Sequence, residues 1–331
     1  MNAATLPRLP EAAYTPLGSE VYHGLTANPK TLSPWLFYDA EGSRLFEAIT
    51  ELPEYYVTRT ERALLRERAA AIVDCASAPT AHGNARRLTL IELGAGTATK
   101  TGLLLEAAVR HQGSVTYHAI DVSETALDEA REHIEREIPG VTVRTRVADY
   151  TEGLGRIDAE GTRRMVLYIG SSIGNFEPAA AEQLLKDVRK QLAPGDMLLL
   201  GVDLVKDIAP LVAAYDDSQG VTAAFNKNVL TRINRELDAD FDPARFRHRV
   251  RWNGDQSRIE MHLESLAAQK VTIPALDLNL SFRRGETIHT ENSYKLQPAT
   301  VAELLRRAGY ALVESWSDPK HWFGEFLARV L

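Results

Sequence analysis

The sequence predicts an α/β fold, in which a mostly parallel sheet ends in an antiparallel hairpin and is accompanied by a second α+β lobe. From residue 88 onward, short apolar runs alternate with amphipathic segments, which is typical of a parallel sheet covered on both faces. The two final strand candidates are separated only by SDPK, which is too short for a parallel crossover. The stretch between about 216 and 286 exceeds what a strand-to-helix connection needs, so it is interpreted as an insertion.

The first 85 residues are expected to be helical and irregular. Thr58 and Glu61 have the T-x-x-E spacing of a capping box at the start of a helix. The stretch 76–87 is rich in small and polar residues and is interpreted as a linker into the next unit. The helix that begins at this capping box and ends at the linker has an apolar face formed by Leu65, Ala69 and Ile72.

Five apolar runs follow the linker and are interpreted as strands of one sheet. They are LTLIEL (88–93), VTYHAI (115–120), VTVRTRV (141–147), MVLYIG (165–170) and MLLLGV (197–202). Helices are expected between several of them: Ser123 can cap one that Pro139-Gly140 ends, and Pro194-Gly195 ends another. The apolar stripe of that second helix is formed by Leu184, Leu185, Val188 and Leu192.

The C-terminal tail breaks this alternation. A helix near 298–308 precedes YALVESW (310–316) and HWFGEFLARVL (321–331). Two strands joined so closely must be antiparallel. A parallel sheet that ends in an antiparallel hairpin is typical of class I methyltransferases, and the sequence is similar to that fold.

The insertion is expected to contain a helix and a hairpin. The helix carries Phe225, Val229, Ile233 and Leu237 at four-residue spacing, and the hairpin turns at Asn253-Gly254. On its first strand, alternate arginines at 245, 247, 249 and 251 share a face, which could suggest nucleic-acid binding. Glu260 and Glu264 on the returning strand favour cross-strand ion pairs instead. With the N-terminal segment, this region is expected to form the second lobe.

Composition narrows the class of protein. The 331 residues are 44% hydrophobic and 25% charged, as in ordinary globular proteins. The net charge of −7 gives no bulk attraction to nucleic acid or to an anionic membrane. Cys75 is the only cysteine, so no intrachain disulfide can form, and a cytoplasmic location is expected. No signal peptide, long apolar run or metal-ligand spacing is found, so neither membrane nor metal is expected, and the default expectation is a monomer.

The segment ELGAGTATKTG (92–102) follows the first strand and opens the first helix of the sheet. Glycines allow the backbone to approach a ligand, and the helix N-terminus favours anionic groups. A dinucleotide fingerprint would have a glycine at position 99, where this chain has Thr99. The E-x-G-x-G-T pattern favours S-adenosylmethionine (SAM) over a nicotinamide cofactor.

Two further positions support a nucleoside site. Asp121 closes the second strand, where it can accept hydrogen bonds from both ribose hydroxyls. Asp149 and Tyr150 follow the third strand, where a carboxylate can accept from the adenine amino group and an aromatic ring can line the base. Each aspartate alone could be a helix cap or a turn residue, but carboxyl ends of successive parallel strands meet at one edge of a sheet.

Nearly the whole chain resembles the histidine Nα-methyltransferases of ergothioneine biosynthesis, which form hercynine (trimethylhistidine). The matching stretches are WLFYDAEGSRLFEAITELPEYYVTRTE, ELGAGTATKT, GSSIGNFEP, GVDLVKD, AYDDSQGVTAAFNKNVL, SRIEMHL and HTENSYK. Several lie outside the cofactor motif. The resemblance is therefore more specific than one to methyltransferases in general.

The resemblance implies a role for each matching position. Cofactor binding is implied for Gly94, Lys100, Asp121, Asp149 and Tyr150. Substrate binding is implied for Asn175 and Tyr215 at the α-carboxylate, for Tyr55, Glu291 and Ser293 around the imidazole with Asn292 between them, and for Met261 nearby. Tyr38 is implied to lie close to the amine, as the catalytic candidate. Tyr55 and Tyr56 form a doublet, so either tyrosine could face the substrate.

The residues alone allow plainer interpretations of several positions. Asn175 could be a turn residue, Tyr215 a core tyrosine and Met261 part of a strand face with Ile259 and Leu263. If 285–295 is extended, alternation places Glu291 and Ser293 on one face and their neighbours on the other.

The predicted function is SAM-dependent Nα-methylation of L-histidine to hercynine. The alternatives are methylation of another aromatic amino acid and SAM binding without catalysis. The expected domains are an N-terminal helical segment (1–85), a SAM-binding domain (86–215), an inserted substrate lobe (216–286) and a return to the sheet (287–331).

Overall fold

The computed structural model describes residues 10–79, 86–148, 157 and 161–331. They form two compact units: the sheet unit (Tyr56–Asp207 and Ser293–Leu331) and the N-terminal unit (Met1–Tyr55 and Ile208–Asn292). The helices are α1 (Pro16–Thr26), α2 (Ala40–Thr50), α3 (Tyr56–Ser77), α4 (Gly102–Gln112), α5 (Glu124–Glu137), α6 (Pro178–Lys190), α7 (Ile208–Tyr215), α8 (Val221–Leu237) and α9 (Pro298–Arg307).

The strands of both units carry one numbering along the chain. They are β1 (Lys30–Thr31), β2 (Leu88–Leu93), β3 (Val115–Asp121), β4 (Val141–Val147), β5 (Arg163–Tyr168), β6 (Met197–Asp203), β7 (Phe246–Asn253), β8 (Arg258–Ser265), β9 (Gln269–Ile273), β10 (Leu278–Phe282), β11 (Thr287–Tyr294), β12 (Tyr310–Ser317) and β13 (Phe323–Val330).

The sheet unit contains a seven-stranded sheet in the order β12-β13-β6-β5-β2-β3-β4. β2 to β6 are parallel, whereas β13 is antiparallel to both β6 and β12. The five predicted strands and the terminal hairpin are thus confirmed, and so is the fold class. Apolar residues of α3, α4 and α5 form the core on one face, and those of α6 and α9 form it on the other.

The predicted capping box at Thr58 and Glu61 is wrong. α3 begins at Tyr56, so Thr58 lies inside the helix. The Glu61 carboxylate instead accepts hydrogen bonds from the Gly170 amide and the Lys100 ammonium. Partners distant in sequence therefore outcompete the local backbone for this side chain.

The N-terminal unit contains a four-stranded sheet in the order β1-β11-β8-β7, and β9 pairs with β10 separately. α8 carries the predicted apolar stripe on a buried face. The predicted hairpin is β7–β8, whose last pair is Asn253 with Arg258, so its turn spans 254–257 rather than the Asn-Gly pair alone. The Asn253 side chain stabilises this longer turn by accepting from the Gln256 amide at 3.2 Å.

The expected cross-strand ion pairs form in part: Arg247 and Arg249 pair with Glu264, whereas Glu260 pairs with Arg258 on its own strand. Arg247 and Arg249 donate to Glu264 at 2.8 and 2.5 Å. Arg245 precedes the strand, in a short 3-10 turn. Among the described helices of either unit, none has the length and apolar character needed to cross a membrane.

Candidate functional site

The loop between β2 and α4 belongs to the sheet unit and has a backbone that its glycines require. Gly94 and Gly96 have φ of 69° and 50°, in the left-handed region. A Cβ on Gly96 would meet nothing within 4 Å, so the loop borders open space at this residue. The amides of Gly94 and Ala95 both donate to the Ile120 carbonyl, at 2.8 and 3.1 Å, which ties the loop to the end of β3.

Asp121 organises the same loop. Its two carboxylate oxygens accept from the Gly96 and Ser123 amides, each at 2.9 Å. Each carboxylate oxygen has two acceptor positions, so the half-buried Asp121 can still accept from a ligand's hydroxyl groups. The residues present therefore fit a nucleoside cofactor bound at the carboxyl ends of β2 and β3.

Glu92, the first residue of the predicted cofactor motif, is fully buried beneath this loop. Its carboxyl group accepts from Thr101 Oγ1 at 2.7 Å and from the Tyr117 hydroxyl. Burial raises the pKa of Glu92 to about 7, although the hydrogen bonds from Tyr117 and Thr101 lower it. Thr101 and Tyr117 were missed by the sequence interpretation because their relation to Glu92 arises only when β3 and α4 pack against β2.

Lys100 lies at the other end of the loop, in an ion pair with the fully buried Glu61. Glu61 Oε1 also accepts from the Gly170 amide at 2.6 Å. The pair joins α3 to the loops after β2 and β5. The other predicted cofactor residues, Asp149 and Tyr150, lie outside the described residues.

Asn175 ends a 3-10 turn (Ser172–Asn175) that follows β5 and is half-buried. The preceding residue must be glycine, because a Cβ on Gly174 would lie 2.8 Å from the Tyr294 carbonyl oxygen. The turn therefore packs directly on the end of β11. This close approach places the turn that Asn175 ends against Tyr294 within the sheet unit.

Ser293 is buried and bound to a network of charged groups. Its Oγ accepts from Lys295 Nζ at 2.7 Å, and Lys295 pairs with Asp203 at 2.8 Å. Asp203 also accepts from the Tyr56 hydroxyl, at 2.8 and 2.9 Å, and from Lys206. Burial lowers the pKa of Lys206 to about 8, against the opposing charge of Asp203. Of these network partners, only Tyr56 was considered from the sequence, as an alternative to Tyr55; Lys295, Asp203 and Lys206 were not singled out.

An aromatic cluster in the N-terminal unit contains three of the predicted substrate residues. Tyr38 contacts Phe46 and Phe225, each at a centroid distance of 5.7 Å. Phe46 also contacts Tyr55 at 6.3 Å, and Tyr55 contacts Tyr215 at 6.4 Å, both edge to face. Phe46 and Phe225 are therefore additional candidates for lining a binding site; from spacing alone, Phe225 was predicted only as part of a helix stripe.

The doublet at 55 and 56 divides between different environments. Tyr55 joins the aromatic cluster, whereas the Tyr56 hydroxyl donates to Asp203 and accepts from Lys206 at 2.8 Å. The Tyr56 hydroxyl therefore both donates and accepts a hydrogen bond within the protein. Tyr55 is the better candidate for facing a ligand, because it lies beside Tyr215, another predicted substrate residue.

β11 is extended over 287–294, as alternation required, and its residues are buried on both faces. Glu291 is 8% exposed and Ser293 is 4% exposed. Asn292 is half-buried between them. Met261 lies on the neighbouring strand β8, 2% exposed, and its carbonyl accepts from Thr290 Oγ1 at 3.0 Å.

A buried hydrogen-bond relay connects β11 to the end of α7. Thr290 Oγ1 donates to Asn226 Oδ1 at 2.8 Å, and Asn226 Nδ2 lies 2.8 Å from His248 Nδ1. His248 Nε2 lies 2.8 Å from the Tyr215 carbonyl oxygen, which can only accept, so Nε2 carries the proton and Nδ1 accepts from Asn226. Burial lowers the pKa of His248, which keeps this tautomer neutral. The relay fixes the backbone at Tyr215 relative to β11.

A second histidine pair lies on β8 and β11. His262 stacks on His289 with ring centroids 4.6 Å apart, and its Nε2 lies 3.3 Å from Glu260. Burial, with His289 adding to it, lowers the pKa of His262 to about 4. Among the described residues, no group of three or more histidine, cysteine or acidic side chains is arranged to hold a metal ion.

Comparison with known proteins identifies similar sequences over almost the whole chain. A family model described as "Histidine-specific methyltransferase, SAM-dependent" matches residues 17–330. The Histidine N-alpha-methyltransferase of Mycolicibacterium smegmatis is 46% identical over 318 residues, which cover 96% of each chain. The Histidine N-alpha-methyltransferase of Mycobacterium tuberculosis is 44% identical over 319 residues, again 96% of each chain. Ergothioneine biosynthesis protein 1 of Schizosaccharomyces pombe is 27% identical over 86% of this chain and 37% of that protein.

Proposed function

Because the chain belongs to the family of histidine-specific, SAM-dependent methyltransferases, we propose that it transfers methyl groups from SAM to the α-amino nitrogen of L-histidine. Three successive transfers give hercynine, the first intermediate of ergothioneine biosynthesis. The observation that carries the proposal is the pair of buried polar side chains, Glu291 and Ser293, at alternate positions of β11. This spacing suits recognition of a planar ring with two nitrogens.

The cofactor is assigned to the sheet unit. We propose that Gly94, Lys100 and Asp121 hold SAM, together with Asp149 and Tyr150. The positive φ of Gly94 and the open space at Gly96 support this assignment, as do the remaining acceptor positions of Asp121. When bound, SAM supplies a methyl group activated by its sulfonium, so the protein itself needs no nucleophile.

The acceptor nitrogen must be neutral to react. A free α-amino group is mostly protonated near pH 7, so the site has to bind or generate the minority neutral form. We assign Tyr38 to the neighbourhood of this amine, and Asn175 and Tyr215 to the α-carboxylate. Positioning and exclusion of water then supply most of the rate.

The aromatic cluster suits the product of this reaction. Methylation turns the amine into a quaternary ammonium, which cannot donate hydrogen bonds but is attracted to the faces of aromatic rings. Tyr38, Phe46 and Tyr55 supply such rings, in contact with one another. We propose that they accommodate the growing number of methyl groups.

The imidazole is assigned to Glu291 and Ser293, with Asn292 and Met261 beside them. Lys295 can only donate, so it occupies an acceptor position of Ser293 Oγ, and the hydroxyl keeps its capacity as a donor. A neutral imidazole offers one N–H and one nitrogen lone pair. Glu291 as acceptor and Ser293 as donor match both, so this pair of side chains suits histidine with a neutral imidazole.

The domain assignment follows from these roles. We propose a SAM-binding domain (86–215) that also supplies Asn175 and Tyr215 to the substrate, a substrate lobe formed by 1–85 and 216–286, and a return to the sheet (287–331) that supplies Glu291 and Ser293. The lone Cys75 supports a cytoplasmic, reducing location, and we take a monomer as the working state.

The first experiment offers SAM and a panel of amino acids to the purified protein. We expect histidine to gain one, two and then three methyl groups, read by mass spectrometry, with fragmentation placing them on the α-nitrogen. If tryptophan or tyrosine were methylated in preference to histidine, that amino acid would be the substrate instead. Binding of SAM without product on any amino acid would contradict the proposal, and heat-denatured protein controls for chemical methylation by SAM.

A further inference from the structure

Glu325 is a fully buried acidic residue for which the proposed reaction has no use. It lies in the middle of β13, where neither of its carboxyl oxygens has a hydrogen-bond donor among the described residues. Its cross-strand partners are Gly201 on β6 and Trp316 on β12, neither of which carries a charge. A buried carboxylate without donors is strongly destabilised, so an ionised Glu325 does not suit this environment.

The Glu61 carboxylate lies on the same face of the sheet, over the strand next to Glu325. A Cβ on Gly201 would lie 2.5 Å from Glu61 Oε1, so Glu61 occupies the space that a side chain at 201 would fill. Because Glu325 pairs directly with Gly201, its side chain emerges on that same face. The two carboxyl groups are therefore neighbours in an interior closed to water.

Two carboxyl groups can form a hydrogen bond only if one of them carries a proton. Glu61 already accepts from the Gly170 amide and the Lys100 ammonium, so both of its oxygens act as acceptors. Glu325 lacks such donors, so the proton belongs to Glu325. Consistently, burial raises the pKa of Glu325 well above the usual range of a glutamate, and the charge and hydrogen bond of Glu61 raise it further, against the effect of Lys100.

We propose that Glu325 is a positioning residue that stays protonated at neutral pH and donates its proton in a hydrogen bond to Glu61. The Glu61–Glu325 pair then bears a single negative charge, which holds the Lys100 ammonium at the end of the cofactor loop. Glu92 on β2 also interacts electrostatically with Lys100 and Glu61. Its hydrogen bonds, however, come from Thr101 and Tyr117, which are not part of the Glu61–Glu325 pair. The part of this inference that concerns Lys100 and the cofactor rests on the proposed function. The proton shared by Glu61 and Glu325 is independent of that function.

The protonation of Glu325 is tested by measuring the unfolding constant in urea for the wild type and for the Glu325→Gln variant between about pH 5 and pH 8. Glutamine keeps the shape, has no charge and can donate to Glu61. Unfolding of the wild type releases the Glu325 proton once the pH exceeds the unfolded pKa, so stability is lost as pH rises toward the folded pKa. Relative to E325Q, the unfolding constant of the wild type is expected to rise by about tenfold per pH unit.

Glu314→Gln is the matched control, because it removes an exposed carboxylate from the adjacent strand β12. Its unfolding constant is expected to follow that of the wild type at every pH. Parallel curves for wild type and E325Q would overturn the inference, since Glu325 would then have the same charge in the folded and unfolded chain.

A second measurement does not depend on a folded variant. Infrared spectra of the wild type at about pH 8, where Glu92 with its pKa of about 7 is largely ionised, are expected to retain the C=O stretch of a protonated carboxyl group. Its absence would overturn the inference as well.

The link to Lys100 is tested by calorimetric binding of S-adenosylhomocysteine, with no histidine present. Glu61→Gln removes the charge that holds Lys100 and is expected to weaken binding by about tenfold or more, whereas E325Q is expected to stay within about threefold of the wild type. Equal losses in both variants would contradict the single-charge arrangement. No methyl transfer enters these measurements, so their failure and a failure of the histidine assay are separate results.

Discussion

Glu291 is a buried carboxylate on β11, and in the proposed function it selects the substrate by accepting a hydrogen bond from it. A charge-assisted hydrogen bond to an imidazole N–H is worth about 1.5–3 kcal/mol. A substrate that cannot supply this donor loses that bond and places an apolar group against a buried carboxylate, which carries a desolvation penalty in addition. In the proposed function, selectivity therefore comes mainly from rejection of the wrong side chain.

At this scale we predict the effect of Glu291→Ala. The substitution removes the proposed acceptor for the imidazole, so the preference for histidine over tryptophan, measured as the ratio of kcat/KM in a competition assay, should fall by on the order of 10⁴-fold. Glu286→Ala is the control: it removes a carboxylate just before β11 that pairs with Lys30 at 2.6 Å. Undiminished preference for histidine in the Glu291 variant would refute its role as selector.

At the scale of elements, the sheet of the N-terminal unit depends on histidines that are neutral. His248, His262 and His289 lie on β7, β8 and β11, and burial lowers the pKa of all three. His248 fixes the backbone of Tyr215 through its Nε2–H, while His262 and His289 stack. Protonation would place positive charges inside these strands. The sheet is consequently expected to be sensitive to acid.

His262 gives this expectation a measurable form. Its pKa of about 4 when folded is below the unfolded value of 6.5, so its contribution to stability is complete above pH 6.5 and is lost as pH falls toward 4. Between pH 7 and pH 4, the free energy of unfolding of the wild type should fall by about 2–3 kcal/mol more than that of His262→Gln. Urea unfolding followed by circular dichroism measures both, and the exposed His133→Gln should behave as the wild type does. An equal acid loss in the His262 variant would show that this ring does not take up a proton on unfolding.

At the scale of the whole molecule, the chain forms two compact units, and the described residues proposed to hold SAM all belong to the sheet unit. A ligand that binds only the native state stabilises it by about 2.7 kcal/mol at a free concentration of 100 Kd. That stabilisation is largest where the ligand contacts the protein. Hydrogen exchange can therefore locate the cofactor site without any assay of turnover.

We predict that S-adenosylhomocysteine alone slows amide exchange in β2, β3 and α4, by up to about 100-fold for amides that exchange through global opening of the sheet unit. Peptides from β9 and β10, read in the same digests, serve as the internal reference. Unchanged exchange over residues 92–121 would exclude the glycine loop as the cofactor site. The experiment needs neither histidine nor a variant.

For the fold, the sequence determined most of what depends on neighbours along the chain. The five apolar runs became β2 to β6, the short SDPK connection required the antiparallel pairing of β12 with β13, and alternation in β11 came out extended. Hydrophobic periodicity and turn length act over a few residues, so they can be interpreted before any tertiary contact is known. The roles of the site residues remain predictions of the family resemblance.

Tertiary structure alone decided where the buried polar groups find partners. Thr58 and Glu61 had the local spacing of a cap, yet Glu61 binds Lys100 and Gly170 instead. The relay from Thr290 to Tyr215 and the proton assigned to Glu325 likewise depend on strands and helices far apart in sequence. A buried donor or acceptor must be satisfied by whichever group approaches it, and that approach is set by packing, so no pattern of neighbouring residues contains it.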